Sequence, residues 1–333
     1  MARVTVERIE EVTRRALARH GAAAGAAAQV ADAVAVAEAQ GNRICGLAYL
    51  ESYCRQLQSG RVEGDVVPEV SRLRPGVVAV DAKLGFAQPA FTAGLPLALE
   101  AARQCGVASL AVRHAHTCTS LGYFTARIAR AGMIGIGFTN ASPVVAPPGG
   151  RRRVIGTNPI SFAVPDGAGG LALLVDQSTT AVALGKIKLA KAAGEAIPEG
   201  WAVDAEGRPT TDPARALEGS LMSLGGIGSG YKGWGFGLMA EVLAAGMAGG
   251  VLSRDVAPLL APEGAPHDLG QYYLLIDPGA SDVFGARMAA LAEAVAEDAA
   301  GRLPGRDKRG ASEVEVPDAL WALAEGLAVG PGA

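Results

Sequence analysis

The stretch VIGTNPISFAVP, residues 154–165, is an apolar run interrupted by Gly156, Thr157, Asn158 and Pro159. Pro159 has no backbone N–H to donate, and Gly156 allows either a positive φ or a close backbone approach. The run therefore predicts two short strands that meet at a polar bend. Thr157 and Asn158 offer a hydroxyl and an amide there, so the bend is either an ordinary turn or part of a small-molecule site.

Strand and helix patterns alternate on both sides of this stretch, which predicts an α/β layer architecture with helices added at both ends. Strands are predicted at residues 77–81, 108–112, 133–139, 171–176 and 272–277. Helices are predicted at residues 5–20, 23–39, 47–57, 90–105, 122–131, 181–193, 283–297 and 317–329. Residues 197–212 are rich in turn-forming residues and predict a surface excursion.

The composition of the 333 residues, 50% hydrophobic and 19% charged, is that of a globular protein and excludes a disordered one. A net charge of −3 does not indicate the excess of positive charge that is typical of nucleic-acid binding. The alanine-rich residues 21–37 contain Asp32 and predict a buried helix, so no membrane partner is expected. The amino end shows no secretory signal, which predicts a cytoplasmic protein with reduced thiols. The four cysteines lack zinc-type spacing, so no metal site is expected.

Residues 225–237, GGIGSGYKGWGFG, contain seven glycines ahead of an apolar helix. Unhindered backbone N–H groups at a helix start, with Lys232, predict either a cradle for a pyrophosphate or a flexible loop. The segment is not a P-loop, because Gly233 rather than Ser or Thr follows Lys232. It is also not a Rossmann fingerprint, because no strand is predicted before Gly228.

Two kinds of side chain are candidates for acid–base or nucleophilic chemistry. His114 and His116 follow the predicted strand 108–112, where catalytic groups of α/β proteins often lie. They lack a third metal ligand, so His116 is interpreted either as a single positioned acid or as a structural histidine. Cys45 is a nucleophile only if its pKa is lowered, and is otherwise a small buried hydrophobic residue.

The order of several motifs resembles the malate/L-lactate dehydrogenase family. These motifs are GTNP at 156–159, the segment 176–186, IPEGW at 197–201, PTTDP at 209–213 and Lys232-Gly233. The family is a non-Rossmann group that also contains sulfolactate, ureidoglycolate and diketogulonate enzymes and cyclic-imine reductases of the piperideine- and pyrroline-2-carboxylate type. The likeness covers residues 6–327.

The resemblance implies an NAD(P)-dependent oxidoreductase that acts on a small-molecule substrate. It implies a mixed-sheet, three-layer α/β core over residues 71–283, with a helical lobe formed by residues 1–70 and 284–333. It also implies a homodimer with the active site near the subunit interface.

The chain departs from the family pattern where catalytic residues are expected. The family's Ser-His-Gly matches Ile44, Cys45 and Gly46, and its carboxylate-binding Arg matches Tyr49. A second family histidine aligns with Thr117, next to His116. The catalytic candidates are accordingly His116, Cys45 and Thr117, with Tyr49 as a substrate-binding candidate.

These departures bear on the substrate, because hydride transfer to a ketone builds an alkoxide that needs a proton donor. A cyclic imine can arrive protonated, so loss of both histidines favours an imine reductase over a 2-oxo acid reductase. One alternative is that His116 replaces the missing acid. Another is a divergent or inactive relative that binds dinucleotide or a partner protein, and a third is an enzyme of another class that uses Cys45 as a thiol.

The resemblance also implies which residues contact cofactor and substrate. Thr157 and Asn140 are expected near the nicotinamide and the substrate. The expected cofactor is NAD or NADP, with NADPH favoured, although no residue can be named for the adenine ribose. The expected cofactor-binding residues are Thr119, Ser120, Asp176, Gln177, Ser178, Lys186, Lys232, Gly233, Leu303, Pro304, Gly305 and Arg306.

Overall fold

The computed structural model describes residues 1–306 and 310–329. Within them the helices are α1 Val6–Arg19, α2 Ala24–Ala39, α3 Leu50–Gln58, α4 Ala87–Cys105, α5 Gly122–Arg130, α6 Leu184–Ala193, α7 Pro213–Glu218, α8 Gly226–Glu241, α9 Phe284–Ala296 and α10 Asp318–Val329. A π-helix, Val242–Met247, continues α8. The strands are β1 Ala2–Thr5, β2 Glu69–Arg74, β3 Val77–Asp81, β4 Val107–Ala115, β5 Ile134–Thr139, β6 Ile160–Pro165, β7 Leu171–Gln177, β8 Ala202–Val203, β9 Pro209–Thr210, β10 Ser220–Leu221, β11 Leu269–Ile276 and β12 Glu313–Val316.

Seven strands form one mixed sheet in the order β2-β3-β4-β11-β5-β6-β7. β3 and β4 are parallel, and the other neighbouring pairs are antiparallel. A doubly wound sheet would be mostly parallel, so the predicted non-Rossmann α/β fold is confirmed. The late strand β11 enters the middle of the sheet, between β4 and β5.

Helices cover both faces of this sheet, which makes the three layers of the predicted core. Leu110 and Tyr273 point to the face on which α4 and α5 pack. Their neighbours Ala111 and Tyr272 point to the other face, where α8 and the π-helix pack. This alternation follows from the two-residue period of a strand.

A second buried cluster lies among the terminal segments. Side chains of α1, α2 and α3 pack there with α10, and β1 pairs with β12. Thr5 caps α1 through its side-chain oxygen, which accepts the N–H of Arg8. The division into a lobe of residues 1–70 with 284–333 and a core of residues 71–283 stays a prediction. No helix in the described part of the chain has the length and apolarity needed to span a membrane.

Three local expectations were wrong. The segment 197–212 is not a simple excursion, since β8 and β9 join β10 in a small antiparallel sheet around the buried carboxylate of Asp204. Residues 154–165 contain one strand, β6, whereas Ile155 makes only an isolated bridge with Val145. The exposed edge strand β2 was missed because its charged residues show no apolar alternation.

Candidate active site

The bend before β6 is tightly determined by its neighbours. A Cβ at Gly156 would lie 2.4 Å from the carbonyl oxygen of Ala141, so a side chain is excluded there. Asn158 is buried and has a positive φ of 35°, which favours Asn among non-glycine residues. Its Nδ2 donates to the carbonyl oxygen of Gly237 at 3.0 Å and to Glu241 Oε2 at 2.7 Å. The bend is therefore a fixed platform rather than a surface turn.

Glu241, near the end of α8, is the buried centre of this platform. Its carboxylate accepts hydrogen bonds from Asn158 Nδ2 at 2.7 Å, Ser253 N at 2.6 Å and Ser253 Oγ at 2.5 Å. Three donors satisfy a buried carboxylate that would otherwise carry a large desolvation cost. The sequence analysis missed Glu241, although an acidic residue inside an apolar helix is a signal that could have found it.

A ladder of backbone hydrogen bonds joins the three motifs that the sequence singled out. Thr179 N donates to the carbonyl oxygen of Thr157 at 2.9 Å, and Leu224 N donates to that of Thr179 at 2.8 Å. Gly233 N donates in turn to the carbonyl oxygen of Leu224 at 3.2 Å. The ladder brings Thr157 and Gly233 to the segment that carries Asp176.

The glycine-rich segment is mostly helical, which corrects its interpretation as a loop ahead of a helix. Only its start is irregular: Gly225, Gly226 and Gly228 have positive φ. A Cβ at Gly233 would lie 2.4 Å from the backbone nitrogen of Leu224. Glycine is needed at 233 for close packing of α8, and not for flexibility.

Asp176, near the end of β7, meets the turn before α5. Its Oδ2 accepts hydrogen bonds from Gly122 N at 2.7 Å and from Ser120 Oγ at 3.2 Å. A Cβ at Gly122 would lie 3.0 Å from the Asp176 side chain, so glycine makes room for the carboxylate. Thr119 has a positive φ of 58°, and its hydroxyl donates to the carbonyl oxygen of Cys118. Thr119, Ser120 and Asp176 are thus brought together as predicted contacts of one ligand.

Cys45 ends the short 3₁₀ turn Arg43–Cys45 and lies close enough to Asp176 to feel its charge. Burial, reinforced by the negative charge of Asp176, raises the pKa of the Cys45 thiol to about 12. A nucleophilic thiol needs a lowered pKa. The thiol therefore stays protonated, which counts against the enzyme class that uses Cys45 as a nucleophile.

Tyr49 lies in the next turn, Leu47–Tyr49. Burial raises the pKa of its phenol to about 12, and the nearby thiols of Cys45 and Cys118 add to the shift. Its ring centroid lies 5.7 Å from that of the buried Tyr53. Tyr49 is consequently a neutral hydrogen-bond donor where the family pattern has a cation.

The buried carboxyl group of Glu38 stabilises the turns that carry Cys45 and Tyr49, and the sequence analysis missed this residue. Glu38 Oε1 accepts a hydrogen bond from Leu47 N at 2.7 Å, and burial raises the pKa of Glu38. A Cβ at Gly46 would lie 2.2 Å from the same oxygen. Glycine is therefore needed at position 46, because the Glu38 side chain lies where a Cβ would be.

His116 is enclosed, which corrects its interpretation as a replacement acid. It is 1% exposed, its Nε2 lies 2.7 Å from Gln56 Oε1, and its ring stacks on His267 at 3.9 Å between centroids. Burial, together with the neighbouring His267 and the positive charge of Arg61, lowers its pKa well below the usual value. Thr117 is buried beside it, and its N–H donates to His267 Nδ1 at 3.2 Å. A neutral imidazole sealed among aromatic rings is typical of a structural histidine.

Asn140, after β5, is buried and half-satisfied. Its Nδ2 donates to the carbonyl oxygen of Val251 at 2.7 Å, while Oδ1 has no hydrogen-bond partner among the described residues. An orphaned buried acceptor needs a donor from elsewhere. A carboxamide N–H of a nicotinamide is a donor of the required kind, so Asn140 fits the cofactor it was predicted to meet.

Three more of the predicted contacts lie on exposed surface. Gln177, Lys186 and Lys232 are exposed, and no carboxylate of the described residues lies within ion-pair distance of either lysine. Ser178 is half-buried, and its Oγ accepts a hydrogen bond from Thr180 Oγ1 at 2.9 Å. Lys232 Nζ lies 5.9 Å from the centroid of the Tyr231 ring. Lysines that have no carboxylate partner among the described residues fit a ligand that brings phosphate charge.

A cavity of about 770 Å³, named here the α9 cavity, lies between β7, α9 and the ends of α2 and α5. Leu303, Gly305 and Arg306 line it, and the carbonyl oxygen of Pro304 accepts the N–H of Leu174 on β7 at 2.8 Å. The predicted loop of Leu303 to Arg306 is thus fixed against the edge strand of the sheet. The volume is large enough for part of a dinucleotide.

Predicted cofactor residues therefore lie at both ends of β7, at Asp176 and at the loop that lines the α9 cavity. The orphaned acceptor of Asn140, and the lysines that have no carboxylate partner among the described residues, fit a bound NAD(P) molecule. No group of three metal-ligating side chains occurs among the described residues. The fold and these residues define the class of protein as an oxidoreductase of the dehydrogenase type.

Comparison with known proteins gives the family. The chain belongs to the malate/L-lactate dehydrogenase family, whose model matches residues 4–322. It is 38% identical over 324 residues to the (2R)-3-sulfolactate dehydrogenase (NADP(+)) of Chromohalobacter salexigens, covering 95% of each chain. It is 35% identical over 334 residues to the Δ1-pyrroline-2-carboxylate/Δ1-piperideine-2-carboxylate reductase of Pseudomonas aeruginosa, covering 96% of this chain and 97% of the relative.

A solved structure agrees with these relatives. The Δ1-piperideine-2-carboxylate reductase of Pseudomonas syringae superimposes with a TM-score of 0.89 at 31% identity, covering 98% of this chain and 100% of the other. The predicted family and the predicted oxidoreductase class are confirmed.

Proposed function

We propose that the chain is an NAD(P)H-dependent reductase of a small cyclic 2-imino acid, of the pyrroline- or piperideine-2-carboxylate type. One observation carries the substrate class. The Asp176 carboxylate lies near Cys45 and Cys118, whose thiols neighbour Tyr49, and burial raises the pKa of Cys45, Cys118 and Tyr49 well above neutral. The cluster therefore presents one negative charge and no acid that titrates near neutral pH.

The Asp176 carboxylate and its uncharged neighbours stabilise a bound cation better than a developing oxyanion. NAD(P)H would supply a hydride when bound; addition of the hydride to the carbon of the C=N⁺ bond would move the π electrons to nitrogen and give a neutral secondary amine. The nitrogen already carries its proton, so no residue has to donate one. The Asp176 carboxylate stabilises the iminium, and the Tyr49 hydroxyl can donate to the substrate carboxylate.

The relatives support this choice but also keep a second candidate. Those from Pseudomonas are named as reductases of cyclic imino acids, whereas the relative from Chromohalobacter salexigens is named as a sulfolactate dehydrogenase. Reduction of a 2-oxo acid is the second candidate. The non-catalytic alternative is a divergent relative that only binds dinucleotide. The cytoplasmic location also stays a prediction.

A substrate panel tests the proposal. We expect oxidation of NADPH or NADH, followed by absorbance, with Δ1-piperideine-2-carboxylate or Δ1-pyrroline-2-carboxylate and at least tenfold slower turnover with pyruvate-like ketones. Faster turnover of the ketones would instead establish the 2-oxo acid candidate. Silence with both sets, while cofactor still binds, would support the non-catalytic alternative.

We also propose that the working form is a homodimer built on the outer face of α8 and the π-helix. This face exposes several large apolar side chains, namely Tyr231, Phe236, Met239, Val242 and Met247. Contiguous exposed apolar surface of this kind is typical of a protein interface. The same helix carries Lys232 and Glu241, so a second copy seated on it would lie next to the site.

We expect Val242→Asp to convert the dimer to a monomer, because Val242 is 62% exposed and a buried unpaired carboxylate opposes association. Light scattering after gel filtration measures the mass. Leu189→Asp is the matched control, since Leu189 is equally exposed but stands alone on α6. A Val242→Asp protein that stays dimeric would place the interface elsewhere.

A further inference from the structure

Two elements connect the Asp176 region to the α9 cavity. Gly122, the first residue of α5, donates to Asp176, whereas Arg130, the last residue of α5, lines the cavity. Leu171, the first residue of β7, lines it too. Eight helical steps cover about 12 Å, and the five steps of β7 from Leu171 to Asp176 cover about 17 Å. An extended dinucleotide spans a similar distance, so a nicotinamide near Asp176 places the adenosine in the cavity.

The lining of the α9 cavity combines apolar and cationic groups. Leu171, Phe284 and Met288 provide apolar surface of the kind on which an adenine ring lies. The guanidinium groups come from Arg130 on α5 and from Arg306 on the loop after α9. The cavity therefore has one surface for a base and two separate elements that bring positive charge.

The charge balance of the cavity favours an anion. No carboxylate of the described residues lies within ion-pair distance of Arg130 or Arg306. Asp166 is the one acidic residue among the described residues of the lining, and its Oδ1 accepts hydrogen bonds from Ala168 N at 2.7 Å and Gly170 N at 2.8 Å within its own turn. The described residues of the lining therefore contribute two guanidinium groups and one engaged carboxylate, which is a net positive charge.

We propose that Arg130 and Arg306 bind the 2′-phosphate of NADPH and so make the enzyme prefer NADPH over NADH. The inference rests on the proposed function and deepens it. A guanidinium presents a planar pair of donors that matches phosphate oxygens, and charge-assisted hydrogen bonds of this type are strong. NADH lacks that phosphate and leaves both arginines without a partner.

Adenosine fragments test the site without catalysis. Titration calorimetry on the full chain is expected to show adenosine 2′,5′-bisphosphate binding at least tenfold more tightly than 5′-AMP. Equal affinity for the two nucleotides would overturn the proposal, because the 2′-phosphate would then be unrecognised. Absence of binding by both at millimolar concentration would overturn the placement of the adenosine.

Arg306→Ala is expected to weaken binding of NADPH and of the bisphosphate about tenfold, while NADH and 5′-AMP change less than twofold. Arg130→Ala should act in the same direction. Arg302→Ala is the matched control, since Arg302 is exposed nearby but does not line the cavity. Equal loss of both cofactors in Arg306→Ala would show that the loop is only structural, and would contradict the proposal.

The variant Asp166→Asn tests whether the α9 cavity selects NADH instead of NADPH. An acidic residue that binds the free ribose diol would select NADH. We expect this variant to bind NADH as the wild type does, within twofold. A tenfold loss of NADH affinity, with NADPH unaffected, would assign the cavity to NADH and overturn the inference. Failure of every substrate in the panel, with the NADPH preference retained in binding, would refute the proposed function alone.

Discussion

Replacing Asp176 by Asn is expected to lower kcat/KM for a cyclic 2-imino acid about 100-fold. Asn keeps the size of the side chain and can still accept the hydrogen bond that Gly122 N donates at 2.7 Å. What it removes is the negative charge beside Cys45 and Cys118. If that charge stabilises the iminium, the loss falls on imine reduction, because the charge does not stabilise the uncharged carbonyl group of a 2-oxo acid.

Cofactor affinity separates this effect from a structural one. Fluorescence titration of NADPH is expected to change less than about threefold in Asp176→Asn, which keeps the hydrogen-bonding contacts of the turn before α5. Asp282→Asn is the control, since Asp282 is an exposed residue outside the site. An Asp176→Asn enzyme that reduces the imine at the wild-type rate would refute the electrostatic role, and equal losses on imine and ketone would point to damaged geometry.

The second large effect is expected at Glu241. Glu241→Ala should lower the free energy of unfolding by about 3 kcal/mol, because Asn158 Nδ2 and the two Ser253 donors lose their common buried acceptor. The platform that carries Thr157 would loosen with it. We therefore expect kcat to fall even at temperatures at which the variant remains folded, as measured by urea unfolding and by kinetics on the same preparation.

Two further variants make the Glu241 result decisive. Glu241→Gln keeps the volume but places an amide N–H against donors, so an intermediate loss is expected. Glu293→Ala on the exposed helix α9 is the control for removing a helical glutamate, and its unfolding should match that of the wild type. An unchanged unfolding free energy in Glu241→Ala would show that the three hydrogen bonds do not stabilise the platform.

The most predictable features were those with a local cause. The predicted helix at residues 5–20 corresponds to α1, and β3 begins and ends at the predicted residues. Gly156 was expected to allow a close backbone approach, and it lies against Ala141. Periodicity and side-chain chemistry act over a few residues, so they are readable without a fold.

The candidate site was predicted less completely, because burial depends on residues that are distant in sequence. His116 looked like an acid at a strand end, but Gln56, Arg61 and His267 enclose it from other segments. Glu241 was not singled out, since the donors that justify its burial come from Asn158 and Ser253.

Sequence alone determined that the chain alternates strands and helices and that its ordered motifs match one dehydrogenase family, and it predicts that Cys45 stands where the family has a histidine. These conclusions depend on residue types and on their order. Only the tertiary structure placed β11 between β4 and β5, joined Thr157 to Gly233 through the backbone ladder, and enclosed His116. Contacts between distant segments decide strand order, burial and pKa, because each depends on which neighbours exclude water.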